Sequence, residues 1–558
     1  MLYLSLILLV AGAAACFGLS GRLATRTLGI GATLLCLAGG LLNALPGDLG
    51  PTIPFLPITV GGMVASLPSA LPRAPGLLVA CALVAAAGCL LSLALALPPQ
   101  LRGFGAIFGW AMLGIATVPI GLAVGLGSPL LVGLWAVAAL AGYAAYRASG
   151  ALRRNELAPL GVSIGLLAGL LLLGGQVGGG PLAAVSLIGG ALALAGVPPF
   201  LGANREAVLA PAPLGALFYA IVLPSLGLGP LIEGAVNLPA PPDIWGRGLL
   251  AIGSLGACAC AAGMLGERSL RAMLGWGAGA QAGATLAAIG LAGLDRPLGQ
   301  LAAQALLMNL ALSATAGAAA VSALEQATGS DDYTQPPRHD LRLAGLLWLL
   351  AGASALGLPP LWGFWGRLWL LDGALRDAPW AVPLLIGSGL LSLSALLVPL
   401  ACFWPNRSQP KLAVSGAIGR IIGGLPAAVI LLVAGLVPQF TVGRWLGLLT
   451  ISPLAQVASL CVAGALLLFG IALSRARWAR VAQLGPEMSA VSLAPESLGA
   501  QLRPLARIGR PDRLISLAWS GLNWLSERVQ MVIGVFEQRY YLLGVILVLV
   551  SIMLLMAR

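Results

Sequence analysis

Long apolar runs alternate with short polar breaks along almost the whole chain. About 20 consecutive apolar residues suffice to cross a bilayer as a helix. Runs of that kind fall at 2–20, 27–45, 76–98, 104–124, 128–146, 159–178, 183–200, 211–231, 248–266, 272–293, 297–320, 343–371, 381–403, 421–441, 454–474 and 540–557. The pattern predicts an all-α polytopic membrane protein of about 16 transmembrane helices. The run 51–70 is also apolar, but Pro51, Pro54, Pro57 and Pro68 interrupt it, which predicts a loop or re-entrant segment. The first run lacks a basic flank and reads as a transmembrane helix rather than a cleaved leader.

The charges between the runs give a direction. With the N-terminus outside and alternation thereafter, 23 of the 30 basic residues fall in inside loops and six outside, with Arg367 within a span. Such an imbalance is what the positive-inside rule requires. It predicts both termini outside, in a bacterial inner (cytoplasmic) membrane.

Composition narrows the class. The 558 residues are 59% hydrophobic and 9% charged, with mean hydropathy +0.98. Soluble domains carry about 25% charged residues, so most of this surface faces lipid. The net charge of +12 comes from 29 Arg and one Lys, Lys411, dispersed between apolar runs. That dispersal excludes a nucleic-acid-binding patch. Eight Cys lie in or beside apolar runs without a C-x-x-C pair, and the one His, His339, sits in a polar loop. No metal or cofactor site is expected from such a set.

One long polar stretch, 475–539, precedes the last span. Within it Leu514, Leu517, Trp519, Leu522, Trp524 and Leu525 make a broad apolar face, while Arg513, Glu527, Arg528 and Gln530 are polar. This predicts an amphipathic segment along the cytoplasmic surface. The expected organisation is a transmembrane core at 1–450 and a C-terminal extension at 451–558.

Two proline pairs, Pro198–Pro199 and Pro359–Pro360, sit inside or at the end of apolar runs. Proline breaks the helical ladder, and broken helices at bilayer depth are tolerated where the freed backbone faces protein or a wet cavity. Two breaks in different halves point to inverted repeats.

Three stretches carry a family resemblance. ALALAGVPPFLGANREAVLAPAPLGALFYAIVLPSLG (191–227) retains an A-P-x-P at Ala210–Pro213, ERSLRAMLGWGAGAQAG (267–283) follows, and GLPPLWGFWGRLWLL (357–371) is similar to G-x-P-P-x-x-G-F-x-G-K. They resemble the antiporter-like subunits of complex I, Mrp antiporters and membrane-bound hydrogenases. The resemblance implies a central proton path of one Glu and several Lys. In this chain the fifth-helix glutamate falls near Trp135–Ala136, and the seventh- and eighth-helix lysines near Ala193 and Pro224. An H-A-x-x-K is matched by Asn309 to Ser313, and the last lysine becomes Arg367. The chain is therefore identified as a degenerate member of that family.

The remaining polar groups at helical depth define the candidate ion path: Arg367, Asn309, Ser313, Gln281 and Gln304. Lysine can be brought to titrate by burial, whereas arginine keeps its charge. The amides and Ser313 suit either a water file or interhelical hydrogen bonds. Arg205, Glu206, Glu267 and Arg271 flank the breaks in predicted cytoplasmic turns and are candidates for subunit contact. The expected role is a membrane-arm subunit of a complex I-like energy-converting assembly, structural or altered in ion translocation. Its expected partners are other membrane subunits, lipid and, indirectly, redox subunits. The alternatives are an active proton- or cation-translocating subunit and a stand-alone carrier of a neutral small molecule. No redox site is expected in the chain itself.

Overall fold

The computed structural model describes residues 2–44, 57–60, 63–66, 73–97, 102–124, 129–150, 181–197, 210–234, 242–265, 267–333, 341–397, 399–403 and 417–436, with single positions 464, 520 and 547. The helices expected at 159–178, 454–474 and 540–557 and the amphipathic segment 475–539 lie outside the described residues, apart from those single positions. So do Pro198, Pro199, Arg205 and Glu206.

The chain is an integral membrane protein built of apolar helices. Among the described residues, and leaving aside the four-residue Leu400–Phe403, they are in order α1 (Leu2–Gly18), α2 (Thr25–Ala44), α3 (Arg73–Ala96), α4 (Gly105–Ala123), α5 (Pro129–Ala148) and α6 (Pro181–Ala195). Next comes α7, which runs through Ala212–Ala216, a π-helical turn Leu217–Val222, and Leu223–Gly234. Then follow α8 (Pro242–Leu265), α9 (Leu270–Ala292), α10 (Arg296–Thr328), α11 (Arg342–Leu356), α12 (Trp362–Asp377), α13 (Val382–Leu397), α14 (Ala417–Ile422) and α15 (Leu425–Leu436). Among the described residues, eight spans are long and apolar enough to cross a membrane, and Leu2–Gly18, Arg342–Leu356 and Pro379–Leu393 are shorter apolar helices.

The stretch expected as a loop or re-entrant segment holds a small hairpin. Strand β1 (Pro57–Val60) pairs antiparallel with β2 (Met63–Ser66), with Val60 opposite Met63. Pro57 opens its strand, where a missing N–H costs least.

Helix α10 is the pillar. At 33 residues it is about 50 Å long, well beyond the roughly 30 Å hydrocarbon layer. Every residue from Leu301 to Leu324 is buried, and α3, α7, α9, α11, α12, α14 and α15 all pack on it. Its Ala-rich surface lets backbones approach from every side. The side chain of Asp295 caps its start by accepting from Leu298 N–H at 3.4 Å. The helix runs past the expected end at 320 because no breaker intervenes before Gly329, whose φ of 75° closes it.

Helices α8 and α9 meet backbone to backbone. A Cβ on Gly253 would lie 2.4 Å from Ala287 N, and one on Gly290 2.3 Å from Leu250 N. Gly246 and Gly283 are also crowded by the facing backbone, at 2.7 Å each. On each helix the paired glycines are two turns apart and so share a face.

The helix ends sort the charges. Arg247, Arg296 and Arg376 share one end, because Gly246 packs on Gly290 and Gly293 and Gly373 packs on Leu291 and Leu298. Arg268, Arg271 and Arg420 share the other: Leu270 N–H donates to Asp331 O (2.9 Å), and Arg420 donates to Ser322 O (2.8 Å) and Ala96 O (3.3 Å). This is the partition that the charge pattern along the sequence predicts.

Replacing Gly253 by Ala forces a methyl group into the facing backbone, which cannot swing aside as a side chain can. Destabilisation of about 1–3 kcal/mol is expected, read as a lower thermal midpoint in detergent. Gly248→Ala is the control, since nothing lies within 4 Å of that position.

Candidate functional site

The second proline pair sits at a true helix break. Helix α11 ends at Gly357, whose φ of 75° suits a residue without Cβ. Pro359 and Pro360 cannot donate to the ladder, and α12 restarts at Trp362. The last carbonyls of α11 find other donors. Leu358 N–H donates to Ala353 O (2.9 Å), Gly357 N–H to Ser354 O (3.0 Å), and Arg367 Nη2 to Ala355 O (3.3 Å). Trp362 Nε1 anchors the new helix to α10 by donating to Ala305 O at 3.1 Å. Close approach is essential: a Cβ on Gly363 would collide with Ser354 O and lie 2.9 Å from Asn309 Nδ2.

Three of the expected polar residues converge on this break. Asn309 Nδ2 donates to Gln281 Oε1 (2.9 Å) and to Ser354 O (3.1 Å), while its Oδ1 accepts from Ser354 Oγ (2.6 Å). Gln281 Nε2 donates to Ser313 Oγ at 3.1 Å. Asn309 and Ser313 are one turn apart on α10, and Gln281 faces both from α9. All four side chains are buried. Gln304 is buried on α10 as well, but none of these hydrogen bonds reaches it. The hydroxyl of Ser354 was not singled out from sequence, because serine in an apolar run is commonplace until the break brings it beside Asn309.

Arg367 lies just beyond this cluster, one turn into α12. It is 8% exposed. Its Nη1 reaches Ser388 Oγ at 3.5 Å, and its Nε has no hydrogen-bond partner. A Cβ on Gly357 would stand 2.6 Å from Arg367 Cγ, so the arginine stem lies directly against the break. The guanidinium thus closes the C-terminal end of α11, where the helix dipole presents partial negative charge.

Residues 182–394, which include both the cluster and Arg367, match the family described as NADH:quinone oxidoreductase/Mrp antiporter, TM. A chain of the Mrp complex from Dietzia sp. DQ12-45-1b superposes with a TM-score of 0.70 at 18% identity, covering 94% of this chain and 62% of its own length. A chain of respiratory complex I from Thermus thermophilus with bound NADH gives 0.61 at 18% identity, with 83% and 100% covered. The membrane-bound sulfane sulfur reductase, an archaeal respiratory membrane complex, gives 0.62 at 17%, with 83% and 97% covered. The chain carries an antiporter-like transmembrane domain. It spans less than two thirds of the Dietzia chain's length. No curated protein sequence matches it.

Ahead of the matched residues, a tryptophan on α5 stands at the position where the sequence resemblance puts the path glutamate. Trp135 on α5 is fully buried and donates from Nε1 to Leu226 O at 2.9 Å. Its ring packs against Gly190 of α6, where a Cβ would lie 2.7 Å away. Pro224, at the expected lysine position of α7, is the second residue after the π-helical turn. The wider turn accommodates a proline that cannot donate to the preceding carbonyls.

The expected subunit-contact residues that are described, Glu267 and Arg271, are engaged within the chain, and Arg271 lies in the first turn of α9 rather than in a turn between helices. Arg271 Nε pairs with Glu325 Oε1 at 2.5 Å, and its Nη1 donates to Ala210 O at 3.2 Å. Glu267 accepts from Trp276 Nε1 at 3.2 Å. Two largely buried carboxylates in helices escaped the hydropathy pattern, because each lies just past an apolar run. One is Glu325, near the end of α10. The other is Asp372 on α12, 2% exposed and paired with Arg376 at 2.5 Å.

Asn309→Leu removes the hub of the cluster and leaves Gln281 and Ser354 with unmet hydrogen bonds. A loss of about 1–3 kcal/mol is expected, measured as a lower thermal midpoint. Gln304→Leu, outside the cluster, should cost clearly less.

Proposed function

We propose that the chain is a membrane subunit of a multi-subunit energy-converting assembly of the complex I or Mrp kind, with the lateral proton path replaced by a fixed polar brace. One observation carries this reading: at the last path position an arginine, buried and packed against the break, caps α11. Its charge is permanent, so it cannot pass a proton on. The neighbouring Gln281, Asn309, Ser313 and Ser354 are neutral and bond to one another. Trp135 fills the expected position of the path glutamate. The subunit then serves to space and hold its neighbours, with 451–558 as its extension. The shared end bearing Arg268, Arg271 and Arg420 faces the cytoplasm, and both termini lie outside.

Purification from the native membrane in mild detergent should bring down further membrane subunits, identified by mass spectrometry. Isolation of the chain alone, in quantity and in a stable state, would sink the reading. Arg367→Ala is expected to leave proton pumping by the intact assembly within about twofold of wild type, because no transfer step runs through it. A pumping loss of tenfold or more with assembly intact would point to active translocation.

That second reading has its own support in Asp372, a buried carboxylate on the broken helix. Asp372→Asn in the same assembly separates the two: unchanged pumping is expected for the brace.

A further inference from the structure

We propose that Arg367 and Ser388 form a binding site for one small monovalent anion of the halide class, where α8, α12 and α13 meet. A guanidinium offers five N–H donors. Arg367 uses two of them, at 3.3 Å to Ala355 O and 3.5 Å to Ser388 Oγ, both at the long end of hydrogen-bond range. Its Nε is buried without an acceptor. Among the described residues no carboxylate pairs with it; the ion pairs formed by Asp372 and Glu325 are with Arg376 and Arg271.

A charge in an apolar interior must be balanced. Lysine could shed its proton, but arginine cannot. The C-terminal end of α11 supplies about half an elementary negative charge, which leaves the balance incomplete. A monovalent anion gives the guanidinium a full counter-charge and its buried Nε an acceptor. A doubly charged phosphate or sulfate would leave a second charge unmatched, since among the described residues no second cation bonds to Ser388 or to Arg367. The Ser388 hydroxyl now donates to Leu385 O at 2.8 Å, and a hydroxyl rotates freely enough to turn that proton toward an ion. The Cys258 thiol beside it stays engaged with Leu384 O. This site does not depend on whether the assembly pumps protons.

The test uses the purified full chain and chloride as probe, replaced stepwise by gluconate at constant ionic strength. The thermal midpoint should rise saturably with chloride. Ser388→Ala should raise the half-saturating chloride concentration about tenfold, the worth of one hydrogen bond to a charged group, and Arg367→Gln should abolish the chloride response. Equal midpoints in chloride and gluconate for the wild type, or a saturable response that survives in Arg367→Gln, would overturn the proposal. If Arg367→Gln does not fold, Ser388→Ala decides: an unchanged half-saturation overturns the site.

Discussion

Everything described hangs on the burial of one long helix by neighbours that come close because its side chains are small. From Leu301 to Leu324 α10 shows no face to lipid. In a bilayer the hydrophobic effect does not drive helices together, so association rests on van der Waals packing and interhelical hydrogen bonds. Alanine and glycine permit the first at short range. The same logic governs the α8–α9 seam, where Gly253 and Gly290 put backbone on backbone. The hydrogen bonds are then placed where the packing leaves room, and Asn309 and Ser313 are the polar positions at which the pillar meets α9 and the break.

The break converts a local defect into a site. Prolines at 359 and 360 end one helix and free its last carbonyls. Asn309 and Arg367 satisfy two of them, at Ser354 O and Ala355 O. The half-helix end and the guanidinium belong together electrostatically: one brings partial negative charge, the other a full positive one. Neither would be stable at this depth alone. The arrangement is closely packed because each partner lies against a glycine, Gly357 under the arginine stem and Gly363 under Ser354.

At the opposite extreme, the helix ends carry ordinary salt-bridge chemistry. Arg271 joins α9 to α10 through Glu325 and reaches Ala210 ahead of α7. Arg420 ties α14 to α10 and α3 through backbone carbonyls and Ser322. These links hold the ends of helices that the lipid-depth packing brings side by side.

Hydropathy along the sequence ended α10 eight residues early and read α11 and α12 as one run, but it determined the membrane class, most of the described spans, the sorting of six arginines to two ends and the second break. It did so because twenty-residue apolar runs and proline pairs are local signals with one physical meaning each. The polar candidates at helical depth were legible too, since an amide in an apolar run stands out. Only tertiary structure decided which of them meet: Gln281, Asn309 and Ser313 join Ser354, and Gln304 does not. It also revealed Asp372 and Glu325 inside helices, and the hairpin at Pro57–Ser66 in a run whose prolines suggested only a loop. Partnership between residues dozens of positions apart depends on how helices rotate and cross, and spacing along one chain does not record that.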